Sequence, residues 1–299
     1  MLKMVVSCLQ DISAELVTEL ELNHVNVRTV EFGEDKPARL WCERVFSDLR
    51  EAGIQPGECI LIASDRTLLH TANGLGMKCI GYRDLICSEA DSLLGCCDYV
   101  IESWDGIGFS YINHVFCRLE GIPLVIAETE RLVIREMVLE DVPALCEICR
   151  QEAVRAFIRD VGDDIQEETK KHSAYIEQVY RFYDYGYWGV YNRKTGELIG
   201  RCGIQDCRLN GVWELELGYL LNPSEWGKGY ATEAVSAVMD YAFGCLGITR
   251  IFALIEPENQ HSVRVAERVG MKFQEYGVKN NRTVAYYVKE FIASVRQEK

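Results

Sequence analysis

The sequence predicts two domains of different construction. Residues 1–124 read as a parallel α/β domain, and residues 125–299 as an α+β domain with a mixed, mostly antiparallel sheet. Three observations carry this. The length, 299 residues, suits one or two domains. The first part alternates short apolar runs with helical stretches, the rhythm of βαβ units. The second part sets strand-like runs side by side across short turns, which suits antiparallel pairing.

In the first domain, residues 2–7, 26–30, 59–63, 77–82 and 99–101 are short, rich in β-branched side chains and bounded by turn residues, so they read as strands. Helical patterns lie between them at 38–52 and 67–75, and Gly57 and Gly76 stand where turns or helix ends belong. In the second domain, 131–136 is a strand. Residues 139–150 form a helix entered through Glu140 and Asp141, with Pro143 in the first turn, where its missing N–H costs nothing. Residues 187–191, 198–205 and 213–221 are the antiparallel series, with a hairpin turn at 192–196. A glycine loop runs into a helix over 226–243. Residues 250–255, 262–269 and 283–288 follow as strand, helix and strand. The join falls at 121–128, around Pro123.

Composition narrows the function. Apolar residues make up 48% and charged residues 26%, which supports a sizeable core and excludes a disordered or collagen-like chain. No apolar run is long enough to span a membrane, and the start has too short an apolar stretch for a signal peptide. The expected location is the cytoplasm. The net charge of −14 argues against a nucleic-acid partner, because phosphate binding needs clustered Lys and Arg. The thirteen cysteines are scattered, and Cys146 and Cys149 have no second pair at zinc spacing. They predict buried thiols in a reducing compartment, with no disulfide and no metal.

The most informative stretch is 215–234. A strand ends at Leu221, Pro223 breaks it, Gly227 and Gly229 follow, and a helix starts at once. Glycines let backbone approach a ligand, and the first amides of a helix have no internal partner. Together with the helix dipole and Lys228 they favour a phosphate; the plain alternative is a glycine turn that only caps the helix. The segment Ser224-Glu225-Trp226-Gly227-Lys228-Gly229 resembles the acyl-CoA loop of the GNAT acetyltransferase superfamily, [Gln/Arg]-x-x-Gly-x-[Gly/Ala], with Ser224 in the first position. The branch that contains the ribosomal-protein N-terminal acetyltransferases is similar in Trp226–Ala234 and in the strand opening Thr129-Glu130-Arg131-Leu132. It is also similar in Leu198–Gly203, in Glu216-Leu217-Gly218-Tyr219, and in the block Asn259-Gln260-His261-Ser262 with Gly270–Phe273. The resemblance spans 127–288 and implies a GNAT fold that uses acetyl-CoA and no metal. It implies that the amides of Gly227, Lys228, Gly229, Tyr230 and Ala231 hold the pyrophosphate, with Trp226, Thr232 and Asn259 also against the coenzyme. Backbone groups of Tyr219, Leu220 and Leu221 would pair with the pantetheine arm and thioester carbonyl as an added strand does.

Amine acetylation by direct attack needs a base for the amine and an acid for the thiolate. Glu214 and Glu216 lie two apart and share one strand face; either is a candidate base or simply a solvated or salt-bridged carboxylate. Ser262 fills the serine of the family block and is the candidate acid, and equally a natural N-cap. Tyr286 and Tyr287 are fallback acids. Tyr183, Tyr185, Tyr187 and Trp188 either line an acceptor pocket or form a core edge. His172 and His261 read as structural or exposed, and Cys202 and Cys207 lack a base at readable spacing.

Residues 1–124 resemble the latter part of a haloacid dehalogenase-type phosphohydrolase, a Rossmann-like domain. Val5-Val6-Ser7 is similar to its second motif, Lys36-Pro37 to its third, and 61–82 to its fourth. The nucleophilic Asp-x-Asp motif is missing, and Ser64 stands where a magnesium-binding acid belongs, with Asp65 one residue late. The resemblance therefore implies a degenerate, non-catalytic domain. Without its central strand the sheet must re-pair or borrow an edge, and a homodimer is one way to do so. The expected activity is N-acetyl transfer to a primary amine: a protein N-terminus, a small-molecule amine or an amino sugar. The alternative is an acyl-CoA sensor or scaffold without turnover, with residues 1–124 as an interaction module.

Overall fold

The apolar runs of the first domain become five parallel strands: β1 (Met4–Ser7), β2 (Asn26–Thr29), β3 (Cys59–Ala63), β4 (Lys78–Tyr82) and β5 (Tyr99–Ile101). They lie in a computed structural model that describes residues 1–9, 11–33, 37–83 and 95–291. The chain divides into two units after Ile122.

In the first unit the strand order is β2-β1-β3-β4-β5. Both β1 and β3 are buried at every residue, as parallel strands covered on two faces must be. Alternate side chains serve two cores. Met4, Val6 and Leu61 pack with Trp41, Val45 and Leu49 of α2 (Ala38–Glu51) and with Leu68 and Leu69 of α3 (Arg66–Gly74). Val5, Ile60 and Ile62 pack with Leu16 and Leu20 of α1 (Ala14–Leu22) and with Ile112 and Phe116 of α4 (Phe109–Glu120). The sheet has re-paired: β1 bonds β3 directly, from Met4 opposite Cys59 to Ser7 opposite Ile62. That removes the reason for expecting a partner's strand. The arrangement is α/β. Ser7 is fully buried and its hydroxyl closes a turn with Leu9, while Asp65 caps α3, accepting from the Leu68 N–H at 2.7 Å. Lys36 lies outside the described residues.

The second unit is one eight-stranded sheet. Its strands are β6 (Val125–Glu128), β7 (Leu132–Arg135), β8 (Tyr187–Asn192), β9 (Leu198–Leu209), β10 (Val212–Leu221), β11 (Arg250–Ile255), β12 (Lys272–Lys279) and β13 (Arg282–Glu290). The order is β12-β13-β11-β10-β9-β8-β7-β6, antiparallel except between β10 and β11. Three expectations need correction. The join is itself the edge strand β6, and a further edge strand, β12, follows the glycine at 270. The helix expected over 139–150 is a 3₁₀ turn at Leu139–Asp141 followed by α5 (Val142–Arg150). Ser262 does not cap the last helix, α9 (Gln260–Arg268); Asn259 does, its Oδ1 accepting from the Ser262 N–H at 3.1 Å.

The two sheet faces are covered differently. Leu217 and Leu221 of β10 point into the main core against Val235, Val238 and Met239 of α8 (Tyr230–Gly244) and Ala266 of α9. Leu220 points the other way, against Leu145 and Cys149 of α5 and Val154 of α6 (Glu152–Arg155). On that side α7 (Ile165–Tyr175) continues into a π-helical turn at Ile176–Tyr180. Glu216 lies two residues from Gly218 and four from Leu220, so all three share this second face.

Candidate active site

Strands β10 and β11 meet at one pair, Glu216 opposite Phe252. Beyond it they part, while β9 stays bonded to β10 residue by residue through Leu221. The other edge of β10 at Tyr219, Leu220 and Leu221 therefore faces a gap. A cavity of about 270 Å³ fills that gap and runs to the start of α8. Every residue the sequence nominated for coenzyme contact lines it except Lys228, and Ser262 lines it too.

The loop at its far end is built by glycine. Gly227 (φ +77°) and Gly229 (φ +84°) occupy the left-handed region, where a side chain strains the backbone. A Cβ built on Gly227 meets nothing within 4 Å, so a ligand can reach this backbone. Gly229 is the N-cap of α8, and the first helical bond runs from the Glu233 N–H to the Gly229 carbonyl at 3.1 Å. The amides before Glu233 thus have no partner within the helix and favour an anion. Lys228 is turned to Glu225 instead, at 3.1 Å. The Trp226 indole donates to the Leu221 carbonyl at 2.8 Å, and its ring lies 4.9 Å from that of His261.

Sequence reasoning missed two sets of residues here. His261, Arg264, Val265 and Arg268 line the cavity from one face of α9; their spacing of three, four and seven is the signal that could have found them. Arg131 holds the loop from behind. Its guanidinium donates to the Lys228 carbonyl at 2.9 Å and to Glu233 Oε2 at 2.7 Å, and it lies 4.5 Å from the Tyr230 ring centre. The Thr129 hydroxyl donates to the same Glu233 at 2.6 Å. Burial alone would raise the Glu233 carboxyl, but the bonds from Thr129 and Arg131 outweigh it and hold it below its ordinary range.

The two glutamates have different surroundings. Glu216 is 6% exposed and sits where the strands part. Lys279 of β12 donates to its two oxygens at 2.6 and 2.5 Å, and Gln205 donates at 3.4 Å. Glu214 pairs with Arg250 and lines an open hollow with Trp213 and Phe291, away from the cavity. Ser262 accepts from the Tyr219 hydroxyl through its carbonyl, at 2.7 Å, and its own hydroxyl has no hydrogen-bond partner among the described residues. Tyr286 and Tyr287 are buried in β13 and line neither this cavity nor the next.

On the second sheet face lies another cavity, of about 220 Å³, lined by Tyr187, Arg201, Gln205, Asp160, Glu168 and His172 among others. Of the four aromatics considered for an acceptor pocket, Tyr187 alone enters it. Trp188 is core, edge-on to Tyr241, and Tyr183 lies tilted against Tyr185, which bonds Asp206 at 2.9 Å. Arg201 pairs with Asp160 and lies 4.8 Å from the Tyr187 ring centre. His172 is half-buried at this cavity: its Nε2 lies 3.1 Å from the Met137 carbonyl, and burial pushes its imidazole below the ordinary 6.5. The twelve described cysteines are all free. Burial raises the Cys207 thiol to about 11, and that of Cys202 further, so neither is a ready nucleophile. Among the described residues no group of His, Cys, Asp and Glu is arranged for a metal, and no helix is long and apolar enough to cross a membrane.

The family model of the acetyltransferase (GNAT) domain matches residues 131–272. The uncharacterized protein YkkB of Bacillus subtilis (strain 168) is 33% identical over 120 residues, which are 40% of this chain and 70% of that protein. An uncharacterized N-acetyltransferase of Bacillus licheniformis is 32% identical over 151 residues, 50% of this chain and 83% of its own. A crystal structure of a GNAT-family acetyltransferase from Bacillus anthracis is 25% identical, with a TM-score of 0.47, covering 55% of this chain and 96% of that one.

Proposed function

The chain belongs to the GNAT acetyltransferase family and is an acyl-CoA-dependent N-acetyltransferase, and we propose that it moves acetyl from acetyl-CoA to a primary amine by direct attack. The observation that supports this best is the continuity of one cavity from Gly227 and the open amides of Gly229–Ala231 to the unpaired edge of β10. In this reading the loop amides hold the pyrophosphate, and the β10 edge at Tyr219–Leu221 pairs with the pantetheine arm and polarises the thioester carbonyl. Glu216 takes the amine proton, directly or through a water, with Lys279 fixing its carboxylate, and Ser262 supplies a proton to the departing thiolate. The acceptor is a protein N-terminus, a small-molecule amine or an amino sugar, and the enzyme is cytoplasmic. Residues 1–124 form the degenerate, non-catalytic haloacid dehalogenase-like domain, and residues 125–299 the transferase.

Calorimetric titration with acetyl-CoA tests the site. The wild type is expected to bind. Gly227→Asp sets a carboxylate at the phosphate position and strains a left-handed residue, so at least about tenfold of the affinity, near 1.4 kcal/mol, should go. An amine screen following thiol release then identifies the acceptor. A folded wild type that ignores acetyl-CoA would sink the reading.

A further inference from the structure

Two glycines face each other across the sheet, Gly203 of β9 and Gly218 of β10. The sheet is bare there, and the Tyr187 ring lies across it from β8, where Tyr187 is itself opposite Gly203. A Cβ built on Gly218 would stand 2.7 Å from the ring Cε1 and clash outright with the hydroxyl oxygen. The hydroxyl therefore sits over Gly218, between the last pair that joins β10 to β11, at Glu216, and the first residues that line the coenzyme cavity.

Tyr187 is mostly enclosed, yet its hydroxyl takes part in no hydrogen bond among the described residues. The hydroxyl is not among the buried unpartnered atoms, so solvent reaches it and it is free to donate to a ligand. Arg201 holds the ring from one side, and the carboxylate of Glu216 lies within electrostatic reach. Burial, and then Glu216, push the phenol well above its ordinary 10, so it stays protonated and can only donate usefully. The second cavity, which Tyr187 lines, gives an acceptor a way to this point from the face opposite α8 and α9.

We propose that Tyr187 is a catalytic residue, its hydroxyl donating a hydrogen bond to the thioester carbonyl oxygen as the amine attacks. This rests on the acetyl-transfer reading above. The amine lone pair forms the C–N bond, and the carbonyl π pair moves onto oxygen, where the Tyr187 O–H meets it. The amine proton goes to Glu216. The oxygen pair then returns, the C–S bond breaks, and sulfur keeps that pair and takes a proton from Ser262, which regains one from solvent water while Glu216 gives its proton up to solvent. Tyr187 keeps its proton throughout. Such a donor acts only on charge that develops in the transition state.

The test is Tyr187→Phe in the full chain, read by kcat, acceptor KM, acetyl-CoA affinity and thermal melting. The hydroxyl has no protein partner to lose, so the melting temperature should not fall. We expect kcat to drop about 10²-fold, the usual cost of one oxyanion donor. Acetyl-CoA Kd and acceptor KM should stay within about twofold. Gly218→Ala, which must displace the ring, should reproduce the kcat loss in a protein that still binds acetyl-CoA. An active wild type with an equally active Tyr187→Phe overturns the role of the tyrosine alone. So does a loss that appears in KM or Kd with kcat unchanged. A wild type that binds acetyl-CoA but acylates no amine overturns the transfer reading and this role with it.

Discussion

Glu214 and Glu216 stand two residues apart on one strand face, and sequence puts Glu216 first only because it falls in the stretch that resembles the family's fourth strand. Their neighbours separate them. Glu216 is buried at the last contact between β10 and β11, and its counter-charge, Lys279, comes from a strand that sequence reasoning left out. Glu214 is one pleat back, ion-paired with Arg250 beside an open hollow. Glu216→Gln should therefore lower kcat by about 10²-fold with acetyl-CoA affinity held, the scale of a lost general base. Glu214→Gln should leave kcat within about threefold. Steady-state kinetics on both variants, beside calorimetry, decide it; equal losses in the two would mean that neither is the base. Asn259 apart, the residues that line the cavity at the start of α8 were legible because they form one contiguous loop and one strand end. The pair of Glu216 with Lys279, 63 residues apart, was not, because partner choice across a sheet depends on strand order.

At the scale of the element, the first turn of α8 is stapled to the turn between β6 and β7. Glu233 receives the Thr129 hydroxyl and the backbone N–H and guanidinium of Arg131, and the same guanidinium reaches the Lys228 carbonyl. The staple fixes a loop whose two left-handed glycines would otherwise leave it many conformations. Arg131→Ala should weaken acetyl-CoA binding about tenfold, while kcat at saturating acetyl-CoA stays within about twofold, since Arg131 lies behind the loop. A matching fall in kcat would show instead that the catalytic strands had moved. The elements missed in sequence differ in cause. Helix α4 is rich in aromatic and β-branched residues of weak helix propensity, and only its buried face of Ile112, Val115 and Phe116 betrays it. Helix α7 buries Glu168 alone, so it carries no apolar stripe. Strand β12 is exposed along most of its length, as an edge strand outside the helix layers is. Strands β1 and β3 were legible because burial on two faces leaves continuous apolar runs.

Across the whole molecule, burial of titratable groups sets how stability changes with pH. Thiols are buried in both units. Burial raises Cys8, Cys59 and Cys79 to about 12, and Cys42, Cys149 and Cys207 to about 11, from an ordinary 9.0. A group whose folded value is raised contributes stability in full below its unfolded value and loses it as pH climbs toward the folded one. Six such thiols make stability fall as pH rises above about 9. His172 works from the other side. Its folded value is lowered by burial, so the unfolded chain binds the proton first, and stability falls as pH drops through about 6.5. Depressed carboxyls such as Glu233 and Glu256 enter only below about 4.5. Melting temperature against pH should therefore show a plateau from about pH 7 to 9 with a shoulder lost on each side. His172→Gln should flatten the limb between pH 7 and 5.5 and leave the alkaline limb as it was. If melting temperature held constant from pH 9 to 10.5 under reducing conditions, the thiols would have to be reached by solvent in the folded protein. The core layers that place them beneath α2 and α3 in the first unit, and against α5 and β13 in the second, would then be loose.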